Sequence, residues 1–218
     1  MTAPRRALII VDVQQEYFDG ILQIQYPPRE KSLANILRAI DVAEQQGIPV
    51  VVVQHQYPEG APVFAVGSES WKLHPEIEGR ITPSWKRVTK DKASVFAGTD
   101  VAQWLAEQQV DTITIVGYMT NNCDIGTAAA AEELGLAAEI LSDASGSPHL
   151  ANEAGKVPAE DLHETLLVLL QSNFAAVATT EAWATAVETG EALPKSDLGT
   201  SAIQGRAAFE GTATLANA

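Results

Sequence analysis

A thiol, a carboxylate and an ammonium each stand at the end of an apolar or β-branched run in this chain. Cys123, its only cysteine, closes the stretch Val110-Asp-Thr-Ile-Thr-Ile-Val-Gly-Tyr-Met-Thr-Asn-Asn-Cys. Ile113 to Val116 reads as a buried parallel strand that Gly117 ends, and the Ala-rich sequence after Cys123 favours a helix. A thiol at such a turn faces free backbone N–H groups and the positive end of a helix dipole, which favour its thiolate. The structural alternative is an inert buried cysteine, because a free thiol packs as a small hydrophobe. Asp12 ends the run Ala7-Leu-Ile-Ile-Val. A carboxylate there is costly to bury unless it is hydrogen-bonded or its pKa rises. Lys90 ends Arg87-Val-Thr-Lys. Taken singly, Asp12 could cap a turn and Lys90 could be a solvated strand end. Brought together, the acid can take the thiol proton and the ammonium can stabilise the thiolate.

The elements that must position these groups alternate between strand and helix. Ala7 to Val13 has the unbroken apolar pattern of a strand covered on both faces. Lys31 to Gln46 carries Leu33, Ile36, Leu37, Ile40 and Ala43 at helical spacing, with Gly47 as its stop. Ile48 to Val53 is a second buried strand. The segment 54–85, dense in Pro and Gly, is an irregular stretch of the length expected for a lid or site-lining loop. Lys86 to Lys90 follows as a short strand and Thr99 to Glu107 as a helix. Ala137 to Leu141 is a strand ended by Ser142-Asp-Ala-Ser-Gly-Ser-Pro. Pro158 opens a helix through Gln171, and Phe174 to Ala178 and Thr180 to Val187 give a last strand and helix.

Repeated βα units predict a three-layer α/β/α, Rossmann-like fold: a mostly parallel six-stranded sheet with helices on both faces. Ligands of such sheets bind at the carboxyl ends of the strands, where Asp12, Lys90 and Cys123 fall. A single domain over 1–190 is expected, with 191–218 as an extended tail that packs on a neighbouring subunit or whose last dozen residues are disordered.

The 218 residues are 46% apolar and 19% charged, with a net charge of −14, which argues against nucleic-acid and anionic-membrane partners. One cysteine excludes a disulfide framework, so a reducing cytoplasm is the expected home. The apolar run near the N-terminus is cut off by Asp12, too soon for a signal peptide or a membrane span.

Four ordered motifs carry a family resemblance. Ala7-Leu-Ile-Ile-Val-Asp-Val-Gln-Gln-Glu-Tyr-Phe resembles the opening motif of the isochorismatase-like cysteine hydrolases. Lys90-Asp-Lys-Ala-Ser-Val-Phe-Ala-Gly-Thr-Asp resembles their lysine motif, Gly117-Tyr-Met-Thr-Asn-Asn-Cys their nucleophile motif, and Leu141-Ser-Asp-Ala the strand that follows. With His163 and Phe174-Ala-Ala-Val-Ala-Thr-Thr the match runs from about Arg6 to Val187. The resemblance implies a catalytic triad of Asp12, Lys90 and Cys123. It also implies a cis peptide between Tyr118 and Met119, and an oxyanion hole made by the backbone N–H groups of Met119 and Cys123. Phe18, Trp71, Phe96, Tyr118, Met119 and Asn122 are the candidate substrate-binding residues, with packing as their alternative role. His163, beside Leu162 and Leu166, reads as a structural histidine.

The chain departs from subfamilies in two places. Nicotinamidases hold a metal with an Asp-x-His motif and a further histidine, whereas this chain reads Gln54-His-Gln-Tyr-Pro. His55 and His74, without a matching carboxylate, make a weak ligand set, so no metal or other cofactor is expected and nicotinamide is disfavoured as substrate. Retention of Cys123 favours thiol-based cleavage over the vinyl ether hydrolysis of true isochorismatases. The expected function is cysteine-dependent hydrolysis of a C–N bond in a small amide, carbamoyl or ureido compound through a thioester. The alternatives are vinyl ether hydrolysis, or a non-enzymatic oligomeric or redox-responsive thiol protein. The resemblance also implies a homodimer or homotetramer.

Overall fold

The computed structural model describes residues 3–213. Six parallel strands form one sheet in the order β3-β2-β1-β4-β5-β8. They are β1 (Arg6–Val11), β2 (Val50–His55), β3 (Lys86–Lys90), β4 (Thr112–Tyr118), β5 (Ala137–Gly146) and β8 (Ala176–Ala178). A small antiparallel hairpin of β6 (Leu150–Asn152) and β7 (Gly155–Val157) stands apart from the sheet.

β1, β2 and β4 are buried along their whole lengths, which is why they read as unbroken apolar runs. One face of the sheet is covered by α1 (Arg29–Gln45) and α6 (Thr180–Thr189). Ile36 and Ile40 of α1 and Trp183 of α6 pack there against Leu8, Ile10, Val52 and Val116. The other face is covered by α3 (Val101–Glu107), α4 (Ile125–Glu133) and α5 (Ala159–Ser172). Leu105, Ala131 and Leu170 meet Ile9, Val51, Ile113 and Ile140 on that side. The result is the three-layer architecture.

A buried ion pair ties the layers together. Arg6 of β1 reaches Glu139 of β5 at 2.9 Å, and Glu139 also accepts from Thr114 at 2.7 Å and from the Trp183 indole at 3.1 Å. Full hydrogen bonding is what makes such a burial tolerable.

Three expectations are corrected. The stretch after 190 is not simply extended, because Leu198–Ala213 forms a helix, α7. Ser201 and Gly205 are its only half-buried side-chain positions among residues 198–210, so no amphipathic stripe announced it. Residues 214–218 lie outside the described residues. β5 does not stop at Leu141: its register against β4 breaks between Ile115 and Gly117, and the strand resumes with Ser145 opposite Gly117. The irregularity accommodates the polar Ser142-Asp-Ala run that looks like a turn in sequence. Finally, 54–85 is mostly irregular but includes α2 (Pro75–Glu78). No helix among the described residues is long and apolar enough to cross a membrane.

Candidate active site

The strand order reverses at β1, which is flanked by β2 on one side and β4 on the other. At the carboxyl ends of these neighbours stand Asp12, His55, Lys90 and Cys123. Lys90 belongs to β3, two strands from β1, or about 10 Å at ordinary strand spacing. Its side chain spans the end of β2 to reach Asp12. Lys90 Nζ lies 2.6 Å from Asp12 Oδ2 and 3.2 Å from Cys123 Sγ. All three residues are buried: Asp12 is 0%, Cys123 1% and Lys90 4% exposed. The enclosure matters because these charges then interact with little screening from water.

The backbone at this point is specialised. Asp12 adopts a left-handed φ of 49°, a conformation that non-glycine residues rarely hold outside sites where the surroundings impose it. Gly117, paired with Val11 across the β1–β4 seam, has φ 111°. A Cβ on Gly117 would lie 2.0 Å from the Val11 carbonyl oxygen, so only glycine lets the two strands approach here. The Tyr118–Met119 peptide is cis. Thr120–Asp124 then forms a π-helical turn that carries Cys123 into α4. The Met119 carbonyl accepts from the N–H groups of both Asn122 and Asp124, at 3.0 and 3.1 Å. Wide turns of this kind recur at functional sites. The turn is anchored through Thr120, whose hydroxyl meets His163 Nδ1 at 2.9 Å, while His163 Nε2 donates to the Ser142 carbonyl at 2.9 Å. Both ring nitrogens of His163 are thus engaged in structure.

The electrostatics correct the thiolate expectation. Burial, and then the charge of Asp12, push the Cys123 thiol well above its ordinary value, and the opposing Lys90 does not cancel them. Burial also disfavours the Lys90 ammonium, but the adjacent Asp12 holds its pKa above the usual lysine value. These directions favour the neutral thiol at Cys123 and the ammonium at Lys90. Desolvation is the largest influence on the thiol at a site this enclosed. Asp124, next to Cys123 and fully buried, has its carboxyl raised by burial and then by Asp12.

The segment 54–85 closes over the centre, held by the chain that follows β1. Gln15 N donates to Lys72 O, Glu16 N to Ser70 O and His74 N to Val13 O. Gln14 was not singled out in the sequence, yet its side chain organises this closure. Its amide donates to His55 O at 2.9 Å and Trp71 O at 2.6 Å, and its oxygen accepts from His55 N at 2.8 Å. Phe64, held at a left-handed φ of 51°, packs its ring against His55 and Tyr17.

The candidate substrate residues separate. Phe18, Trp71 and Met119 belong to one hydrophobic cluster with Phe64, and Phe96 packs in the other, with Cys123. Tyr118 lies within the core, its hydroxyl 2.7 Å from that of Ser32. Asn122 is exposed.

Asp12, His55 and Cys123 each offer a ligand atom, all within 4.8 Å of one another. They do not fit a metal, because the Lys90 ammonium occupies the position among them that a cation would need. Gln54, which stands where the nicotinamidase motif has Asp, donates to Trp71 O, and His74 accepts from Glu76 N through Nδ1 at the start of α2.

Comparison with known proteins decides the family. The isochorismatase domain model matches residues 6–182. This chain belongs to the isochorismatase family. The uncharacterized isochorismatase family protein YddQ of Bacillus subtilis is 29% identical over 185 residues, covering 81% of this chain and 97% of YddQ. Nicotinamidase 3 of Arabidopsis thaliana is 25% identical over 180 residues, covering 78% of this chain and 82% of that protein. A crystal structure of a Burkholderia xenovorans LB400 protein assigned as an isochorismatase superposes with a TM-score of 0.93 at 48% identity. It covers 96% of this chain and all of its own. The protein is thus an isochorismatase-family hydrolase, and its three-layer fold is that of the family.

Proposed function

We propose that this isochorismatase-family protein is a cysteine-dependent hydrolase of a C–N bond in a small amide, carbamoyl or ureido compound. One observation carries the reading: Lys90 Nζ sits between Asp12 Oδ2 and Cys123 Sγ, at 2.6 and 3.2 Å, in an enclosed centre. Asp12 takes the thiol proton as Cys123 Sγ adds to the substrate carbonyl, and Lys90 compensates the charge on sulfur. The backbone N–H groups of Met119 and Cys123 receive the oxyanion, as donors fixed before the reaction begins. Collapse breaks the C–N bond, and the proton held by Asp12 leaves with the amine or ammonia. Asp12 then draws a proton from water, whose oxygen attacks the thioester. The second collapse frees the carboxylic acid and returns the proton to sulfur. No step calls for a metal.

The kinship with a nicotinamidase supports an amide substrate, while the engaged Gln54 and His74 remove the metal-binding pattern from the nicotinamide reading. The exposed apolar side chains of Val168, Leu198 and Ile203 support self-association as a homodimer or homotetramer. The test is ammonia release from a panel of small amides and ureido compounds by wild type and Cys123→Ala. Release by wild type alone is expected. Equal release by both would contradict the proposal.

A further inference from the structure

Lys90 has more acceptors than hydrogens. Its three N–H groups face Asp12 Oδ2 at 2.6 Å, His55 Nδ1 at 2.9 Å, Lys92 O at 3.1 Å and Cys123 Sγ at 3.2 Å. An ammonium donates only, so His55 Nδ1 meets it with a lone pair and the ring hydrogen sits on Nε2. Burial first, and then Lys90, hold the imidazole below its ordinary pKa and keep it neutral. Nε2 is buried and has no protein partner. Enclosed N–H groups without a partner are rare, and one on a ring that touches the Lys90 ammonium is a place for a ligand's acceptor. The ring is fixed by Tyr57 and Phe64, whose centroids lie 4.8 and 5.0 Å away, and Gln14 clamps the backbone of His55 on both sides.

We propose that His55 serves the reaction from both ring nitrogens: Nδ1 positions the Lys90 ammonium, and Nε2–H binds a second hydrogen-bond acceptor on the substrate. This rests on the amide-hydrolase reading and narrows it to short amides that carry a further carbonyl or carboxylate. An amide without that acceptor leaves the donor desolvated and unpaired, a penalty of about tenfold or more in kcat/KM.

Butyramide, 4-oxopentanamide and succinamate all carry two methylenes between the amide carbon and C4, where they bear a methyl, a ketone and a carboxylate. Wild type is expected to release ammonia from the latter two with the higher kcat/KM. His55→Asn keeps an acceptor where Nδ1 stood and removes the distal donor. It should lose the preference while the pH profile of Cys123 alkylation by iodoacetamide shifts less than in His55→Gln. His55→Gln offers an amide N–H near the Nε2 position without the proximal acceptor. It should keep part of the preference, with a lower kcat and an altered pH profile of alkylation. Nitrogen-15 NMR of the whole protein reads the same claim without a variant and should find a neutral ring with its hydrogen on Nε2.

A protonated Nδ1 at neutral pH overturns the proposal. So does equal turnover of the three amides by wild type, a wild-type preference in His55→Asn, or no turnover of any probe. Ammonia release by Cys123→Ala at the wild-type rate would instead sink the underlying amide-hydrolase reading.

Discussion

Lys90 Nζ lies 2.6 Å from Asp12 Oδ2, a contact made between strands that are not neighbours in the sheet. The pair puts a fixed negative charge and a fixed positive charge against one thiol, and the two act on that thiol in opposite directions. The proposed chemistry depends on this opposition.

Asp12→Asn separates ionisation from catalysis. The Asp12 charge raises the Cys123 pKa, so its removal should let the thiolate form at lower pH. The same change removes the proton carrier, and turnover should fall by about 10²–10⁴-fold, the usual contribution of a general base. Iodoacetamide alkylation against pH, set beside kcat, reads both. Unchanged kcat would remove Asp12 from the mechanism.

Lys90→Met acts with the opposite sign on the thiol. Without the ammonium, nothing offsets burial and Asp12, so alkylation of Cys123 should move to still higher pH. In wild type the raised thiol should already react about tenfold or more slowly at neutral pH than free cysteine. A fast-reacting thiolate in resting wild type would contradict the protonated ground state.

Gly117→Ala tests the seam that carries both Asp12 and the nucleophile turn. The new Cβ would meet Val11 O at 2.0 Å, in a backbone conformation that alanine also disfavours. A loss of at least ~2 kcal/mol in chemical denaturation is expected, from strain and displaced backbone. Near-wild-type stability would mean that the strands can part without cost.

Glu139→Ala leaves Arg6 buried without its partner and strips Thr114 and Trp183 of an acceptor. Removing one member of a buried pair costs about 3–5 kcal/mol, and the denaturation midpoint should fall accordingly. The active-site thiol chemistry should be unaffected in protein that remains folded.

The sheet was legible because buried parallel strands need apolar residues on both faces, and β1, β2 and β4 announce themselves in that way. Asp12, Lys90 and Cys123 were legible for the same reason, as polar side chains stranded at apolar ends. Their mutual distances were not, because Lys90 reaches across a strand that sequence order does not reveal. α7 was hidden by its Gly, Ser and Thr content and lack of an apolar stripe, and the continuation of β5 by polar residues at a break in register. The burial that raises the Cys123 thiol was not legible, because a strand-to-helix position shows the dipole and not the enclosure. His55 was weighed only as a metal ligand, although its place at the end of the strand beside β1 was the available signal.

The most direct test of the central claim is intact-protein mass spectrometry during turnover of a small amide, quenched in acid. The account predicts a mass increase equal to the acyl group, mapped to Cys123, and absent from Cys123→Ala together with turnover. Ammonia release by the alanine variant, or an acyl group mapped to another residue, would contradict it.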